Sequence, residues 1–442
     1  MNPVAGVPGV DFSVEDVRRK FPDELEITPL NHPPDASIRV PGSKSVTNRA
    51  LLVAALAEGP SRIMNPLFSD DSYWLMDALV KLGIGLTADR EGGEVRVDGR
   101  GGEIPASDVD LFVGNAGTVA RFLPPALALG PGTYTVDGVP RMRERPISDL
   151  VEGMRQLGAA VEYAGETDRY PLMVLGGGIR GGTARIPGAR SSQFASGLLM
   201  AAPYAETPVT LQVDGREQWP YIGITVAVMR SFGVHVAEAP DLFSVQPSAY
   251  KPLDYAVEPD ASAASYFMAA AAVSGGRVKL PGLGSTSTQG DLRFAEVLRH
   301  MGCDLEITPT SIEMQGPDRL RGIDVDMNAF SDTMMTLAAI APFAEGPTTI
   351  RNVAHTRLQE TDRLSAVATE LGRLGVPTRQ TPSSIRIIPQ TPRPAVVRTY
   401  GDHRMAMAFA VTGLVASGIE IQDPGCVNKT FPDFFGRLRE LR

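Results

Sequence analysis

Polar clusters that run straight into apolar, alanine-rich segments recur along this chain of 442 residues. Residues 41–56 show the pattern most plainly, because Ser43, Lys44 and Ser45 precede a run of Ala, Leu and Val long enough for a buried helix. We predict that this cluster forms the helix N-terminus, where free N–H groups and the positive end of the helix dipole meet. With Lys44 and Arg49 it is a candidate anion site. The plainer alternative is a serine cap beside a solvated lysine.

The order of polar cluster, apolar helix, Gly or Pro turn and β-branched strand recurs six times, at intervals of about 70 residues. A second helix interleaves with this pattern and ends just before a glycine, as at Leu82-Gly83 and Phe232-Gly233, which fits the left-handed helix cap. A period of this length fits a small α/β unit and is too long for a thin helical solenoid. We predict two similar α/β domains of three units each, with a cleft between them.

The repeat also predicts the domain boundaries. We expect residues 43–257 to form the first domain, and residues 28–42 with 258–442 to form the second. Strand patterns at 25–28 and 37–40 are expected to pair with the C-terminal half. Residues 1–27 are predicted to be an N-terminal appendage.

Composition and charge argue against several classes of protein. A net charge of −9 disfavours a nucleic-acid partner, which requires a broad basic face. The sequence has no run of about 18 apolar residues, the pattern that would predict a membrane span. The acidic residues Asp11, Glu15 and Asp16 argue against a secretory or transit leader, so we expect a cytoplasmic protein. Cys303 and Cys426 are too few for a disulfide framework or a zinc site, and we expect no metal and no cofactor.

The clusters that begin the six apolar helices predict where chemistry lies. Cations at helix N-termini oppose the dipole unless an anion lies between them, so Lys44, Arg121 and Arg404 indicate an anionic ligand. Asp260 is explained by capping alone. The six clusters are Ser43-Lys44-Ser45, Asn115-Ala116-Gly117-Thr118, Ser191-Ser192-Gln193, Asp260-Ala261-Ser262, Ser331-Asp332-Thr333 and Asp402-His403-Arg404.

Two carboxylates in the second half are candidates for proton transfer. Asp332, if surrounded by cations, stays ionised and can accept a hydroxyl proton, while Lys44 or Glu360 can move a second proton. His403 is a candidate secondary acid or base. More arginines in loops suggest a substrate with several phosphate or carboxylate groups, although a charged run is often only a solvated face.

Seven ordered motifs together resemble the 5-enolpyruvylshikimate 3-phosphate (EPSP) synthase family. The resemblance covers residue 28 to the end of the chain. It implies two domains of three βαβαββ units each, an inside-out α/β barrel with the helix N-termini facing an interdomain cleft. The motifs are residues 41–50, 114–118, 143–147, 191–194, 360–363, 402–407 and 429–433.

The resemblance implies transfer of the enolpyruvyl group of phosphoenolpyruvate to the 5-hydroxyl of shikimate 3-phosphate, with release of phosphate, in aromatic amino acid biosynthesis. It implies catalytic roles for Asp332, Glu360 and Lys44, and His403 stays the candidate secondary acid or base named above. The implied shikimate 3-phosphate ligands are Lys44, Ser45, Arg49, Ser191, Ser192, Gln193, Tyr221, Asp332 and Gln359. The implied phosphoenolpyruvate ligands are Lys44, Asn115, Gly117, Arg145, Gln193, Arg363, Arg404 and Lys429. We expect a monomer whose partners are these small molecules.

The chain departs from the family pattern at a few positions. Gln359 and His355 stand where the family usually has Lys and Asn, so one cation is missing, and Arg357 is a candidate replacement. Gln218 and Phe122 stand where Ser and Pro are common. These changes can alter the affinity for substrate or for the inhibitor glyphosate.

Two alternatives remain open at this stage. The sister enolpyruvyl transferases that act on UDP-N-acetylglucosamine usually carry a reactive Cys in the loop that corresponds to residues 131–145, and this loop has none. A non-catalytic anion-binding protein would explain Gln359. It would not need Asp332 and Glu360 together with Lys44 and Lys429.

Overall fold

The computed structural model describes residues 12–187, 191–214 and 219–442. The α-helices of these residues are α1 (Val14–Val17), α2 (Lys44–Leu56), α3 (Asp70–Lys81), α4 (Gly117–Leu127), α5 (Pro140–Glu144), α6 (Ser148–Gln156), α7 (Ser192–Ala201), α8 (Trp219–Ser231), α9 (Ala261–Ser274), α10 (Arg293–His300), α11 (Met334–Ile340), α12 (Arg363–Arg373), α13 (His403–Gly413) and α14 (Phe434–Arg439).

The strands of the described chain are short. They are β1 (Glu24–Ile27), β2 (Asp35–Ser37), β3 (Pro60–Met64), β4 (Gly85–Asp89), β5 (Glu94–Asp98), β6 (Val109–Phe112), β7 (Thr133–Asp137), β8 (Ala160–Tyr163), β9 (Leu172–Leu175), β10 (Gly182–Pro187), β11 (Val209–Asp214), β12 (Val236–Ala239), β13 (Leu242–Val245), β14 (Asp254–Ala256), β15 (Arg277–Pro281), β16 (Asp304–Ile307), β17 (Ser311–Gln315), β18 (Leu320–Arg321), β19 (Asp324–Asp326), β20 (Ala344–Glu345), β21 (Thr348–Arg351), β22 (Thr378–Gln380), β23 (Ile385–Ile387), β24 (Ala395–Val397) and β25 (Ile419–Gln422).

Five four-stranded sheets share one topology. In each, an edge strand runs parallel to the second strand, and the third and fourth strands are antiparallel, as in the order β6-β7-β9-β8. The other four sheets have the orders β14-β3-β5-β4, β10-β11-β13-β12, β2-β15-β17-β16 and β19-β21-β23-β22. A sixth sheet, β24-β25-β1, repeats the first three strands of this arrangement. The six-fold α/β repeat predicted from the sequence is therefore confirmed.

The chain divides into two compact units. The first contains Gly42–Val257 and the described part of Met1–Val17, and the second contains Arg18–Pro41 and Glu258–Arg442. Each unit has its own apolar core, built around three almost fully buried helices. These are α2, α4 and α7 in the first unit, and α9, α11 and α13 in the second.

Close helix packing in the first unit depends on a glycine. Helices α4 and α7 pack face to face, and a Cβ added at Gly197 would lie only 2.3 Å from the backbone oxygen of Arg121. Because so short a contact forces the backbones apart, any larger residue at Gly197 separates the two helices. The close contact between α4 and α7 at this level therefore requires glycine.

The described N-terminal residues are not an appendage, which corrects that prediction. Strand β1 pairs antiparallel with β25 from Glu24 opposite Gln422 to Ile27 opposite Ile419, and so completes the sixth sheet. Further upstream, the Phe12 ring packs edge-on against Phe68 in the first unit, with centroids 6.2 Å apart. The expected pairing of the early strands with the C-terminal half is confirmed, since β2 also pairs with β15.

Candidate active site

The predicted polar clusters do begin the buried helices. Helices α2, α4, α7, α9 and α13 start inside or directly after them. Helix α11 also starts directly after its cluster, whose residues belong to the 3₁₀-helix Asn328–Thr333 with a kink at Phe330. Side chains of Ser191, Asp260 and Asp402 cap their helices. The clusters of each unit are considered separately below.

Arg49 is the most buried cation of the first unit, with 2% of its surface exposed. Its Nε donates to Thr225 Oγ1 (2.6 Å), and its Nη1 donates to the backbone oxygen of Ser45 (2.8 Å). Nη2 donates to Ser196 Oγ and to the backbone oxygen of Tyr221, both at 3.2 Å. All of these acceptors are neutral. The sequence reading did not identify Ser196 and Thr225, although both are polar residues within apolar helices.

An aromatic ring completes the surroundings of Arg49. The guanidinium carbon lies 4.7 Å from the centroid of the Phe122 ring, which is a cation–π contact. Phe122 is fully buried in α4, so its departure from the family pattern supports Arg49 directly. Burial lowers the pKa of Arg49 to about 9, and the side chain remains charged at neutral pH. A buried charge surrounded by neutral groups favours binding of an anion, because an opposite charge offsets the desolvation.

Arg145 is a second buried cation of the first unit and is 6% exposed. Its Nε and Nη1 are buried and have no hydrogen-bond partner among the described residues. The guanidinium covers Gly117 at the start of α4, where an added Cβ would lie 2.9 Å from Nη2. Glycine therefore allows the cation to approach the helix N-terminus closely. Unpaired donors beside that N-terminus are suited to phosphate or carboxylate.

Lys44 differs from these two arginines because it has an acidic neighbour. Its Nζ lies 3.5 Å from Oδ2 of Asp71, a buried residue in the first turn of α3 that the sequence reading had not selected. Nearby, Asn48 Nδ2 donates to Thr118 Oγ1 at 2.6 Å and ties α2 to the cluster that contains Asn115. Lys44 is thus a paired cation, whereas Arg49 and Arg145 are buried with no carboxylate contact in the described chain. Arg121 is also buried, and its Nη1 donates to the backbone oxygen of Gly117 at 3.3 Å.

The remaining predicted residues of the first unit lie at the start of α7 and α8. Ser191 Oγ accepts from the backbone N–H of Gln193 at 3.2 Å, and Ser192 is the first residue of α7 and is buried. Tyr221, in the first turn of α8, offers its backbone oxygen to Arg49. The structure thus brings α2, α7 and α8 together around one guanidinium. Gln218 lies outside the described residues.

Arg363 is the centre of the cluster in the second unit. It is the first residue of α12 and is 1% exposed. Its guanidinium contacts three carboxylates: Nε donates to Asp402 Oδ2 (2.8 Å), Nη2 to Glu360 Oε2 (3.0 Å) and Nη1 to Asp332 Oδ1 (3.3 Å). Burial lowers the pKa of Arg363, but the carboxylates, Asp402 foremost, outweigh it and raise that pKa overall. Asp402 was expected only to begin α13, and its pairing with Arg363 is new.

Asp332 lies between two arginines. Its Oδ2 accepts from Nη2 of Arg404 at 2.7 Å, while Oδ1 faces Arg363. The Asp332 side chain keeps 21% of its surface exposed, whereas Arg363 is almost enclosed. Two neighbouring cations favour an ionised carboxylate. This arrangement suits a base that accepts a proton at an accessible surface.

Glu360 bridges Arg363 and Lys429. Lys429 Nζ lies 3.6 Å from Glu360 Oε1, while Glu360 Oε2 accepts from Arg363. Both Glu360 and Lys429 are largely buried. The second unit therefore brings three predicted cations, Arg363, Arg404 and Lys429, onto three carboxylates.

Gln359 and His355, the departures from the family pattern, both lie in this cluster. Gln359 Oε1 accepts a hydrogen bond from Arg363 Nη1, and His355 Nε2 lies 2.7 Å from Ser331 Oγ. Burial lowers the pKa of His355, the Asp332 carboxylate opposes this, and Arg363 adds to it. A neutral amide at 359 thus helps to hold Arg363.

Arg357 does not replace the missing lysine, which corrects that hypothesis. Its Nη1 donates to both carboxylate oxygens of Asp362, at 2.9 and 2.7 Å, and its Nε donates to the backbone oxygen of Pro382 at 3.0 Å. His403, the expected secondary acid or base, is 1% exposed in the first turn of α13, with Nδ1 3.5 Å from Asp402 Oδ1. Its enclosure separates the ring from solvent.

The described residues show no feature of a metal site or of a membrane span. No group of three or more His, Cys, Asp or Glu side chains in these residues is arranged to hold a metal ion. None of their helices combines the length and apolarity that spanning a membrane requires. Burial raises the pKa of the Cys303 thiol to about 12, so this cysteine is an unreactive core residue.

Comparison with known proteins identifies the family. Residues 31–438 match the family model described as EPSP synthase (3-phosphoshikimate 1-carboxyvinyltransferase). The chain belongs to the EPSP synthase family. It is 50% identical over 422 residues to the 3-phosphoshikimate 1-carboxyvinyltransferase of Nostoc punctiforme, which covers 95% of this chain and 99% of that protein. The chloroplastic enzyme of Arabidopsis thaliana is 46% identical and covers 91% of this chain and 82% of its own length.

Solved structures agree with this assignment. The EPSP synthase from Acinetobacter baumannii superposes with a TM-score of 0.81 at 27% identity, covering 95% of this chain and 98% of that one. The enolpyruvyl transferase NikO from Streptomyces tendae shares the fold, with a TM-score of 0.73 at 19% identity and coverage of 95% and 98%. The resemblance stated from the sequence motifs, and the fold class that it implied, are confirmed.

Proposed function

We propose that this member of the EPSP synthase family transfers the enolpyruvyl group of phosphoenolpyruvate to the 5-hydroxyl of shikimate 3-phosphate and releases phosphate. One observation supports the proposal most strongly. Asp332, partly accessible, accepts from both Arg363 and Arg404, so a base is held among the cations that multiply anionic substrates need. Purely structural ion pairs do not require such an accessible carboxylate.

The first unit, in this proposal, binds shikimate 3-phosphate. Its candidate ligands are the residues around Arg49, whose buried charge has no carboxylate partner in the described chain. They comprise Lys44, Ser45, Arg49, Ser191, Ser192, Gln193 and Tyr221. Asp332 accepts the proton of the attacking hydroxyl, and Gln359 orients Arg363 beside it.

Phosphoenolpyruvate is assigned to the remaining cations, together with Lys44 and neutral groups that begin α4 and α7. The candidate ligands are Lys44, Asn115, Gly117, Arg145, Gln193, Arg363, Arg404 and Lys429. Glu360, near Lys429, acts in its protonated form and gives that proton to the methylene carbon as the new C–O bond forms at the adjacent carbon. The resulting tetrahedral intermediate returns a proton from the new methyl group to the Glu360 carboxylate and expels phosphate, which restores the double bond. The buried His403 is left without a direct catalytic role.

Phosphate release tests the reaction. The purified protein is assayed with phosphoenolpyruvate and either shikimate 3-phosphate or UDP-N-acetylglucosamine, with Asp332→Ala as the control. We expect release only with shikimate 3-phosphate and none from the variant. Release with the nucleotide sugar alone would assign the chain to the sister reaction, and no release with either acceptor would leave an anion-binding protein.

The oligomeric state and location are proposed separately. We infer a cytoplasmic monomer from the composition. Sedimentation equilibrium at assay concentrations tests the monomer, because a dimer would have twice the mass of one chain, which is 47.2 kDa.

A further inference from the structure

Arg357 and Asp362 close a short loop in the second unit. Arg357 lies in the 3₁₀-helix Ala354–Leu358, and Asp362 caps α12. One nitrogen of Arg357, Nη1, donates to both Asp362 oxygens and also to Ser365 Oγ at 2.9 Å. Asp362 Oδ1 in turn accepts from the backbone N–H of Ser365 at 3.0 Å. We call the Arg357–Asp362 pair the clasp.

The other side of the Arg357 guanidinium holds a second segment. Nε donates to the backbone oxygen of Pro382 at 3.0 Å, and Nη2 donates to the backbone oxygen of Thr381 (3.0 Å) and to Gln380 Oε1 (3.3 Å). Every N–H-bearing nitrogen of the guanidinium is thus engaged by the protein. The clasp ties the loop before α12 to the turn that joins β22 and β23.

The residues enclosed by the clasp are those that orient Arg363. Gln359 Oε1 accepts from Arg363 Nη1, and Glu360 Oε2 accepts from Nη2 at 3.0 Å. Arg363 itself begins the helix that Asp362 caps. The clasp therefore fixes the positions of Glu360 and Arg363, the two partners of this contact.

The exposure of the clasp favours a role in positioning the loop over a role in stabilising the fold. The Arg357 and Asp362 side chains are 25% and 41% exposed. Ion pairs this exposed contribute on the order of 0–1 kcal/mol to stability. A displacement of about 1 Å at a reacting group, in contrast, can lower a rate about 100-fold. Loss of the clasp should therefore affect turnover far more than folding.

We propose that Arg357 is a positioning residue that holds Glu360 in place for proton transfer. The inference rests on the function proposed above. The hydrogen bonds of Arg357 go to Asp362, Ser365 and residues 380–382. Arg357 therefore acts on Glu360 through the loop that it closes. Lysine cannot replace it, because one ammonium group cannot reach the Asp362 carboxylate and the carbonyls of residues 381–382 together.

The first test is steady-state kinetics of Arg357→Lys beside the matched control Arg351→Lys. Arg351 pairs with Asp324 at 2.5 Å in the same unit and outside the loop, with more exposed side chains (50% and 64%). We expect Arg357→Lys to lower kcat about 10- to 100-fold and to change each KM less than threefold, and the control to change neither. Free guanidinium should partly restore kcat to Arg357→Ala. Unchanged kcat would overturn the proposal.

The second test is hydrogen exchange of the backbone amides of residues 358–361, which needs no turnover. We expect faster exchange in Arg357→Lys than in the unmodified protein and in Arg351→Lys, with equal Tm for the two variants. Unchanged exchange would refute the clasp. If the unmodified protein releases no phosphate, the proposed function fails, while this exchange result still decides whether Arg357 orders the loop.

Discussion

The two units hold their cations in opposite ways. In the first, Arg49 and Arg145 are buried without a carboxylate contact in the described chain, and Phe122 covers one face of Arg49. In the second, Arg363, Arg404 and Lys429 contact Asp332, Glu360 and Asp402. The first unit thus carries buried charge without carboxylate contacts, whereas the second carries charge that carboxylates neutralise.

This difference suggests a division of labour. Uncompensated cations bind an anionic substrate strongly, because no carboxylate of the protein has to be displaced from them first. The cations of the second unit instead orient the carboxyl groups and keep Asp332 ionised, which its role as a base requires. Lys44 is the exception, since it faces Asp71 in the first unit.

The largest expected effect is at Asp332. Asp332→Asn keeps the size of the side chain but removes the base, so we expect kcat to fall about 100- to 10,000-fold. The KM for each substrate should change little. Stopped-time phosphate release measures both parameters, and a kcat within fivefold of the unmodified enzyme would remove Asp332 from the mechanism.

The next prediction compares stability between the clusters. Arg363→Gln leaves Asp402 and Glu360 buried without this cation, and we expect a loss of about 3–5 kcal/mol in the free energy of unfolding. Arg145→Gln removes a cation whose Nε and Nη1 are unpartnered, and should cost less than about 1 kcal/mol. Urea unfolding at pH 7 measures both. Equal losses would contradict the contrast between the units.

A smaller effect is expected at Phe122. Phe122→Met retains apolar volume but loses the aromatic face over Arg49, and we expect shikimate 3-phosphate to bind about 5- to 30-fold more weakly, corresponding to about 1–2 kcal/mol. Phe194→Met, which removes another buried ring in the neighbouring helix α7, is the matched control. Calorimetry should separate the two variants. The same loss in both would show a general packing effect.

The smallest predicted effect is a pH dependence from His355. Burial lowers its pKa in the folded protein below the usual 6.5, so the unfolded chain binds more protons at mildly acidic pH. The contribution of neutral His355 to stability is therefore full above about pH 6.5 and declines below it. His355→Asn should lose less stability than the unmodified protein between pH 7 and 5. Matching slopes of stability against pH for the two proteins would exclude His355.

Local patterns explain what could be predicted from sequence. The six repeats follow from the alternation of polar cluster, apolar helix and turn, and each buried helix begins within a few residues of its predicted cluster. Strand β1 was expected to pair with the C-terminal half, yet residues 24–27 were also assigned to an appendage. The short strand pattern did not show that it completes a sheet.

Side-chain partners were less predictable because they depend on reach across loops. The pairing of Asp402 with Arg363 joins residues 39 positions apart, and nothing in either motif specifies it. Arg357 was misjudged for the same reason: its sequence position suggested a spare cation, whereas the turn after β22 supplies its acceptors.

Calorimetric measurement of shikimate 3-phosphate binding to Asp332→Asn and Arg49→Gln tests the central contrast most directly. Circular dichroism first checks that both variants are folded to the same extent. The account predicts that Asp332→Asn binds within threefold of the unmodified protein but does not turn over. Arg49→Gln should bind about 10- to 100-fold more weakly. Weaker binding by Asp332→Asn than by Arg49→Gln would contradict the assignment of shikimate 3-phosphate binding to the residues around Arg49 in the first unit.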